Sequence, residues 1–153
     1  MAILISRGAQ HAIKALVRLS ELPAGGAMPV HELAQHESIP PSFLSKVVRR
    51  LVEAGVLAAT RGRRGGVRLA QDPADISLLT VMEAVDGERA SAGCLLGRER
   101  CRDAEACSVH RAWKRIRDDL TVALSRISLA EVTGPPSPGG PHKQLALYPP
   151  AGG

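Results

Sequence analysis

Between Val30 and Ala70, within about 40 residues, the chain switches from helical to extended periodicity at a few punctuating residues. Val30–His36 brings Leu33 and Ala34 to one side, as a short helix does. Glu37-Ser-Ile-Pro-Pro41 is a turn. Pro41 and Ser42 then open a second helix through Ala54, with Leu44, Val47, Val48, Leu51 and Val52 on its core side. Gly55 stands where a helix end favours positive φ. Val56–Thr60 and Val67–Ala70 are short extended runs joined by Arg61-Gly-Arg-Arg-Gly-Gly66, which predicts a hairpin. Helix, turn, helix and hairpin in that order is the winged helix-turn-helix arrangement.

The remaining chain is helical in pattern. Ser6 is placed to cap a helix running to about Leu22, with Ala9, Ala12, Ile13, Leu16, Val17 and Leu19 at three- and four-residue steps. Ser77 starts a helix from Leu78 to Val85, closed by Asp86-Gly87. From Ser108 a long helix is expected to about Leu129. Its stripe of Val109, Ala112, Trp113, Ile116, Leu120, Leu124 and Ile127 is close to a heptad seam. Aromatic residues make up only 2% of the 153 residues, while 44% are hydrophobic, so an α-rich core of Ala, Val, Leu and Ile is expected and a large β-sandwich is disfavoured. The fold class is therefore mainly α: a winged helix-turn-helix with a long C-terminal helix. Four parts are expected: a DNA-binding domain over 1–87, an irregular cysteine-containing loop over 88–108, the long helix over 109–131, and a Pro/Gly-rich flexible tail over 132–153.

Charge is concentrated on the helix–hairpin unit. Residues 41–70 carry Lys46 and six arginines against Glu53 alone, a net +6, and because the whole chain is +5 the remainder is −1. Ser42, Ser45, Lys46, Arg49 and Arg50 lie on the expected outward side of the second helix. Arg61, Arg63, Arg64 and Arg68 belong to the hairpin. Such groups can approach phosphates and base edges of double-stranded DNA. A merely solvated basic face is the alternative for a charge run considered alone.

All three cysteines fall in one short stretch. Cys94 and Cys101 are separated by six residues, Cys101 and Cys107 by five, and His110 follows after two more. Thiolates and imidazole suit iron–sulfur clusters and borderline ions such as zinc. His110 is the nearest candidate for a fourth ligand, and a group from elsewhere in a dimer is another. Zinc sites usually pair ligands two to four apart, and only Cys107 with His110 does so here. A metal-free thiol switch and incidental cysteines are further readings. His11, His31, His36 and His142 carry no ligand signal.

Other classes find little support. No apolar run reaches the roughly 20 residues that cross a bilayer, and the first residues do not form a secretory signal, so a cytoplasmic protein without membrane contact is expected. An odd cysteine count disfavours a disulfide framework. No nucleophile–base set or paired acids suggest an enzyme, and the hairpin glycines are not at a strand-to-helix turn that would cradle a nucleotide. A small zinc-stabilised adaptor without its own operator is the alternative from another class.

Several segments together resemble the bacterial winged-helix repressor family that includes the iron–sulfur regulator IscR and the nitric-oxide-sensitive regulator NsrR. They are Ile5-Ser-Arg-Gly, Ile39-Pro-Pro-Ser-Phe-Leu-Ser-Lys-Val-Val-Arg-Arg-Leu, Thr60-Arg-Gly-Arg-Arg-Gly-Gly-Val-Arg-Leu, Glu83-Ala-Val-Asp-Gly and Cys94…Cys101…Cys107-Ser-Val-His-Arg-Ala-Trp113. The resemblance spans roughly residues 3–132. It implies that 109–131 is a dimerisation helix joining a homodimer on a palindromic operator, that 88–108 is a sensor loop, and that the three cysteines hold an iron–sulfur cluster whose state changes DNA affinity. It further implies His110 as the fourth ligand of an IscR-like site. An NsrR-like site would need a carboxylate in the first helix, where this chain has Gln10, a poor iron ligand.

Overall fold

The computed structural model describes residues 5–63, 65–97 and 102–134; Arg64, Cys101 and the Pro/Gly-rich segment with His142 and Tyr148 lie outside them. In chain order the elements are α1 (Arg7–Ser20), α2 (Val30–His36), α3 (Pro41–Glu53), β1 (Leu57–Thr60), β2 (Gly66–Leu69), α4 (Leu78–Asp86), α5 (Arg89–Ala92), α6 (His110–Arg126) and α7 (Leu129–Thr133). Ser6 caps α1 by accepting the Ala9 amide at 3.0 Å, and Ser77 caps α4 by accepting that of Thr80 at 3.1 Å. α3 has no side-chain cap. The Pro40 carbonyl instead receives the amides of Phe43 and Leu44, both at 3.0 Å, while Pro41 supplies a preset φ.

Gly55, at φ +74°, ends α3 and lets the Val56 amide return to the Leu51 carbonyl at 2.9 Å. This reversal feeds the antiparallel hairpin, whose register runs from Leu57 opposite Leu69 to Thr60 opposite Gly66. Met28 adds a bridge on the other edge, exchanging both backbone hydrogen bonds with Val67. Gly66 is needed there because a Cβ would fall 2.3 Å from the Met28 carbonyl oxygen.

Most of the buried apolar residues meet in one core. Leu16 of α1, Leu33 of α2, Leu44 and Leu51 of α3, Leu57 of β1, Ile76 and Val81 are fully buried together, without an aromatic ring. A second, smaller cluster contains Ala9, Met82 and Leu124, flanked by Ile5, Leu78, Leu79, Ala90 and Leu120; it seats α6 on α1, α4 and α5. The helices α1, α3 and α4 thus bury the apolar stripe that their sequence promises.

Two expectations change. The helix expected to about Leu129 stops at Arg126, and the dimerisation segment placed at 109–131 is divided. Ile127 and Ser128 are extended and pair with the entry to α4: the Leu78 amide donates to the Ile127 carbonyl at 2.9 Å and the Leu129 amide to the Ile76 carbonyl at 2.8 Å. Ser128 and Glu131 then form a capping box that starts α7, and Leu129 enters the main core fully buried. The stretch 88–108 is not wholly irregular either, since α5 and a 3₁₀ turn at Asp103–Glu105 lie within it.

Candidate nucleic-acid interface and cysteine loop

At about 100° per residue, the α3 positions sort themselves around the helix. Leu44, Val47, Val48 and Leu51 are buried; Ser42, Lys46, Arg49 and Glu53 form the row directly opposite and are exposed. Arg49 Nε donates to Glu53 Oε1 at 3.0 Å, with the two side chains 82% and 62% exposed, a pair weak enough to be exchanged for a phosphate. Ser45, also exposed, lies on one flank and donates its hydroxyl to the Pro41 carbonyl at 2.8 Å. Phe43 and Arg50 share the other flank. Phe43 meets the His11 ring edge-on, with centroids 5.5 Å apart. Arg50, expected among the outward groups, donates Nη1 to the Val85 carbonyl of α4. Its sequence position fixes the flank, but only the packing of α4 supplies the acceptor.

The hairpin alternates as a half-buried ribbon should. Val67 is buried, whereas Arg68 beside it is exposed, as are Arg61 and Arg63 in the connection. Among the described residues no carboxylate pairs with Arg61, Arg63 or Arg68. Arg64 lies outside the described residues.

The cysteine loop is fastened to the start of α6. Trp113 Nε1 donates to the Gly93 carbonyl at 2.8 Å, which holds the residue preceding Cys94 against α6. Cys94 opens a turn in which its carbonyl accepts the Gly97 amide at 3.0 Å, and the Cys107 carbonyl accepts the His110 amide at the same distance. Cys94 and Cys107 are half-buried, and neither is in a disulfide. The His110 ring is buried, with Nε2 2.7 Å from Asp103 Oδ1; Lys114 Nζ lies 3.3 and 3.4 Å from the two Asp103 oxygens. The hydrogen bond from His110, followed by that from Lys114, holds the Asp103 carboxyl below the ordinary aspartate range.

Among the described residues no three His, Cys, Asp or Glu side chains gather closely enough to hold a metal ion by themselves; Cys101, the middle member of the predicted ligand set, lies outside them. Asp103 is the participant that sequence reasoning missed. Nothing in its spacing distinguishes it, because the contact arises only when the 3₁₀ turn folds back over α6.

The apolar stripe predicted on α6 is two stripes. Trp113, Leu120 and Leu124 face inward, toward α5 and the second cluster. Val109, Ala112, Ile116, Ala123 and Ile127 fall on an adjacent face and stay exposed, Ile116 by 54%. Val109, Ala112 and Ile116 are spaced by three and four residues and Ala123 and Ile127 by four, with Asp119 in the seven-residue interval between the two groups, so exposed apolar groups recur along this side of α6 and its flanking residues.

A family model named Rrf2 and described as an iron-dependent transcriptional regulator matches residues 5–135. The HTH-type transcriptional regulator IscR of Photorhabdus laumondii is 32% identical over 129 residues, covering 84% of this chain and 77% of its own length. That of Escherichia coli O1:K1 is 30% identical over 129 residues, covering 84% and 78%. Among solved structures, CymR, the global cysteine regulator of B. subtilis, gives a TM-score of 0.69 at 22% identity, over 84% of this chain and 95% of that one. IscR of T. potens gives 0.66 at 19% identity, over 84% of each. These two structures share the winged helix-turn-helix fold. No described helix is long and apolar enough to cross a membrane.

Proposed function

The chain belongs to the Rrf2 family of transcriptional regulators, so it is a DNA-binding regulator and not an enzyme; on that premise we propose that it acts in the cytoplasm as a homodimer on a palindromic operator, with an iron–sulfur cluster on its cysteine loop setting operator affinity. In this reading Ser42, Ser45, Lys46 and Arg49 face the major groove, and Arg61, Arg63, Arg64 and Arg68 form the wing. The exposed seam of Val109, Ala112, Ile116, Ala123 and Ile127 is covered by its equivalent in a second copy, which leaves one recognition helix for each half-site.

The observation that carries the sensing part is the Trp113–Gly93 hydrogen bond, which brings Cys94 to the end of α6 that also bears Cys107 and His110. Two thiols and an imidazole are donors that fit a thiolate-held cluster, with Cys101 as the third thiol. A His110 ring that donates its Nε2–H to Asp103 would bind a metal through Nδ1, and an outer carboxylate of this kind commonly orients metal-bound imidazoles. Bound there, a cluster would supply a redox- and iron-responsive crosslink between the loop and α6. The chain's own part is to hold the loop closed or release it.

The decisive measurement is anaerobic purification with an absorption spectrum and an assay for iron and acid-labile sulfide. A coloured protein holding both is expected. Colourless protein without iron after reconstitution overturns the cluster reading, and bound zinc in its place would favour the zinc-stabilised alternative. DNA binding is tested separately. Arg63→Ala should lower the slope of log K against log salt by about one, as loss of a phosphate contact does; an unchanged slope in both Arg63→Ala and Arg49→Ala would sink the proposed interface.

A further inference from the structure

We propose that Arg50 is a positioning residue that couples the cysteine loop to the recognition helix through the Val85 carbonyl, and that it makes no phosphate contact. The inference rests on the reading of the chain as a DNA-binding regulator with a sensing loop.

Three observations carry it. First, Arg50 sits in the last turn of α3, on the flank away from the Ser42–Lys46–Arg49 row, and its Nη1 donates to Val85 at the C-terminal end of α4. Carbonyls at a helix end lack intrahelical donors and carry partial negative charge, which a planar, permanently charged guanidinium satisfies well. Second, Glu53, Glu83 and Asp86 line the same open depression as Arg50. Glu53 is paired with Arg49, which leaves Glu83 and Asp86 as the two further carboxylates beside Arg50, and they make this corner less favourable to a phosphate than the open side of α3.

Third, the segment after Val85 is gripped at both ends. Asp86 and Gly87 lead straight into α5, then Gly93 and Cys94. One hydrogen bond, Arg50 to Val85, ties the near end to the recognition helix; the other, Trp113 to Gly93, ties the far end to α6. Ser6 Oγ also donates to Asp86 Oδ1 at 2.7 Å, so α1 shares the near anchor. A shift of the cysteine loop against α6 therefore acts on a short segment whose other end holds α3. A change in α3 orientation alters its fit to the major groove without touching any group that meets DNA.

The test is a double-mutant cycle on the full chain, using Arg50→Met and Trp113→Phe. The DNA probe is a duplex selected from a random-sequence pool by the wild-type protein. Trp113→Phe keeps an aromatic ring in the same place and removes the Nε1 donor to Gly93, together with part of the ring volume. It should change the dissociation constant about five-fold in the wild-type background and leave it nearly unchanged in the Arg50→Met background. Arg50→Met should lower affinity while the salt slope stays as in wild type. Arg50→Lys, which retains charge and one donor, should keep the wild-type slope and recover part of the coupling, and it serves if the Met variant does not fold.

Additive effects overturn the proposal, as does the absence of any Trp113→Phe effect. A slope reduced by about one in Arg50→Met and restored in Arg50→Lys overturns it differently, by making Arg50 a phosphate contact. Because the cycle needs no iron, its failure is distinguishable from failure of the cluster reading, which the iron and sulfide assay reports.

Discussion

The block built from α1 to α4 and the arm built from α5, the cysteine loop and α6 use similar residues to opposite ends. In the block, apolar side chains find one another within the protomer: Leu16, Leu33, Leu44, Leu51 and Ile76 are all fully buried. In the arm, Leu95, Leu96, Val109, Ile116 and Ile127 remain 37–59% exposed, and the buried cluster beneath α6 is small. Exposed apolar groups recurring along one side of a chain mark a surface suited to cover by another molecule. The block buries its apolar groups by itself, whereas on the proposed reading the arm would take its remaining contacts from a second copy and a ligand.

The sharpest challenge to that division is Leu129. It follows α6 in the chain yet is fully buried in the core of the block. Leu129→Ala should therefore destabilise like a central core truncation, by about 2–5 kcal/mol, read by urea unfolding. A loss below about 1 kcal/mol would place α7 with the arm and blur the comparison. Ile116→Glu probes the opposite side. The protomer should keep its helical circular dichroism, because the side chain is 54% exposed. The dimer should weaken about 100-fold, since a charge would be buried at the seam in both copies. Light scattering should then report the 16.1 kDa protomer. An intact dimer would mean that the seam is not where two copies meet.

Asp103→Asn tests the ligand side of the arm. The variant keeps an acceptor for His110 and loses the charge shared with Lys114. Outer-sphere substitutions of this sort cost about 10- to 100-fold in metal retention. Iron loss to a chelator should accelerate by about that factor, while urea unfolding of the block stays unchanged. Equal iron retention in the variant and wild type would remove Asp103 from the site.

The block was largely legible because each element is closed by a residue with a local reason to be there. Ser6 and Ser77 cap, Pro41 starts α3, and Gly55 and Gly87 end helices, so boundaries followed from chemistry within a few residues. The arm was less so. Periodicity gave the α6 stripe but could not divide it into an inward and an outward face, since both keep to helical steps of three, four or seven residues. Apolar spacing also ran through Ile127 and concealed the break, although Ser128-x-x-Glu131 is a capping-box signature visible in the sequence. Arg50 shows another limit: its charge was plain, but its acceptor depends on where α4 ends in space. The same holds for Asp103, whose partner belongs to the first turn of α6.

The capping box offers the finest test of where the block ends. Glu131 Oε2 accepts the Ser128 amide at 2.7 Å and the Ser128 hydroxyl at 2.9 Å, and the backbone contact, then the hydroxyl, holds this carboxyl below the ordinary glutamate range. A carboxyl with a lowered folded value stabilises the folded state in full above its unfolded value, and the contribution fades as pH falls through the folded one. Glu131→Gln can still form the neutral version of the box, so only the charge-dependent part is lost. Tm of the variant should fall slightly below wild type at neutral pH, and the two should converge in acid. Ser128→Ala, which removes the cap itself, should cost about 1 kcal/mol at neutral pH and less in acid, because the hydroxyl it removes also donates to the Glu131 carboxylate. If Glu131→Gln changes nothing at neutral pH while Ser128→Ala does, the hydroxyl alone starts α7. If neither substitution matters, the entry of Leu129 into the core holds α7 in place, and the boundary of the block is set by burial and not by the cap.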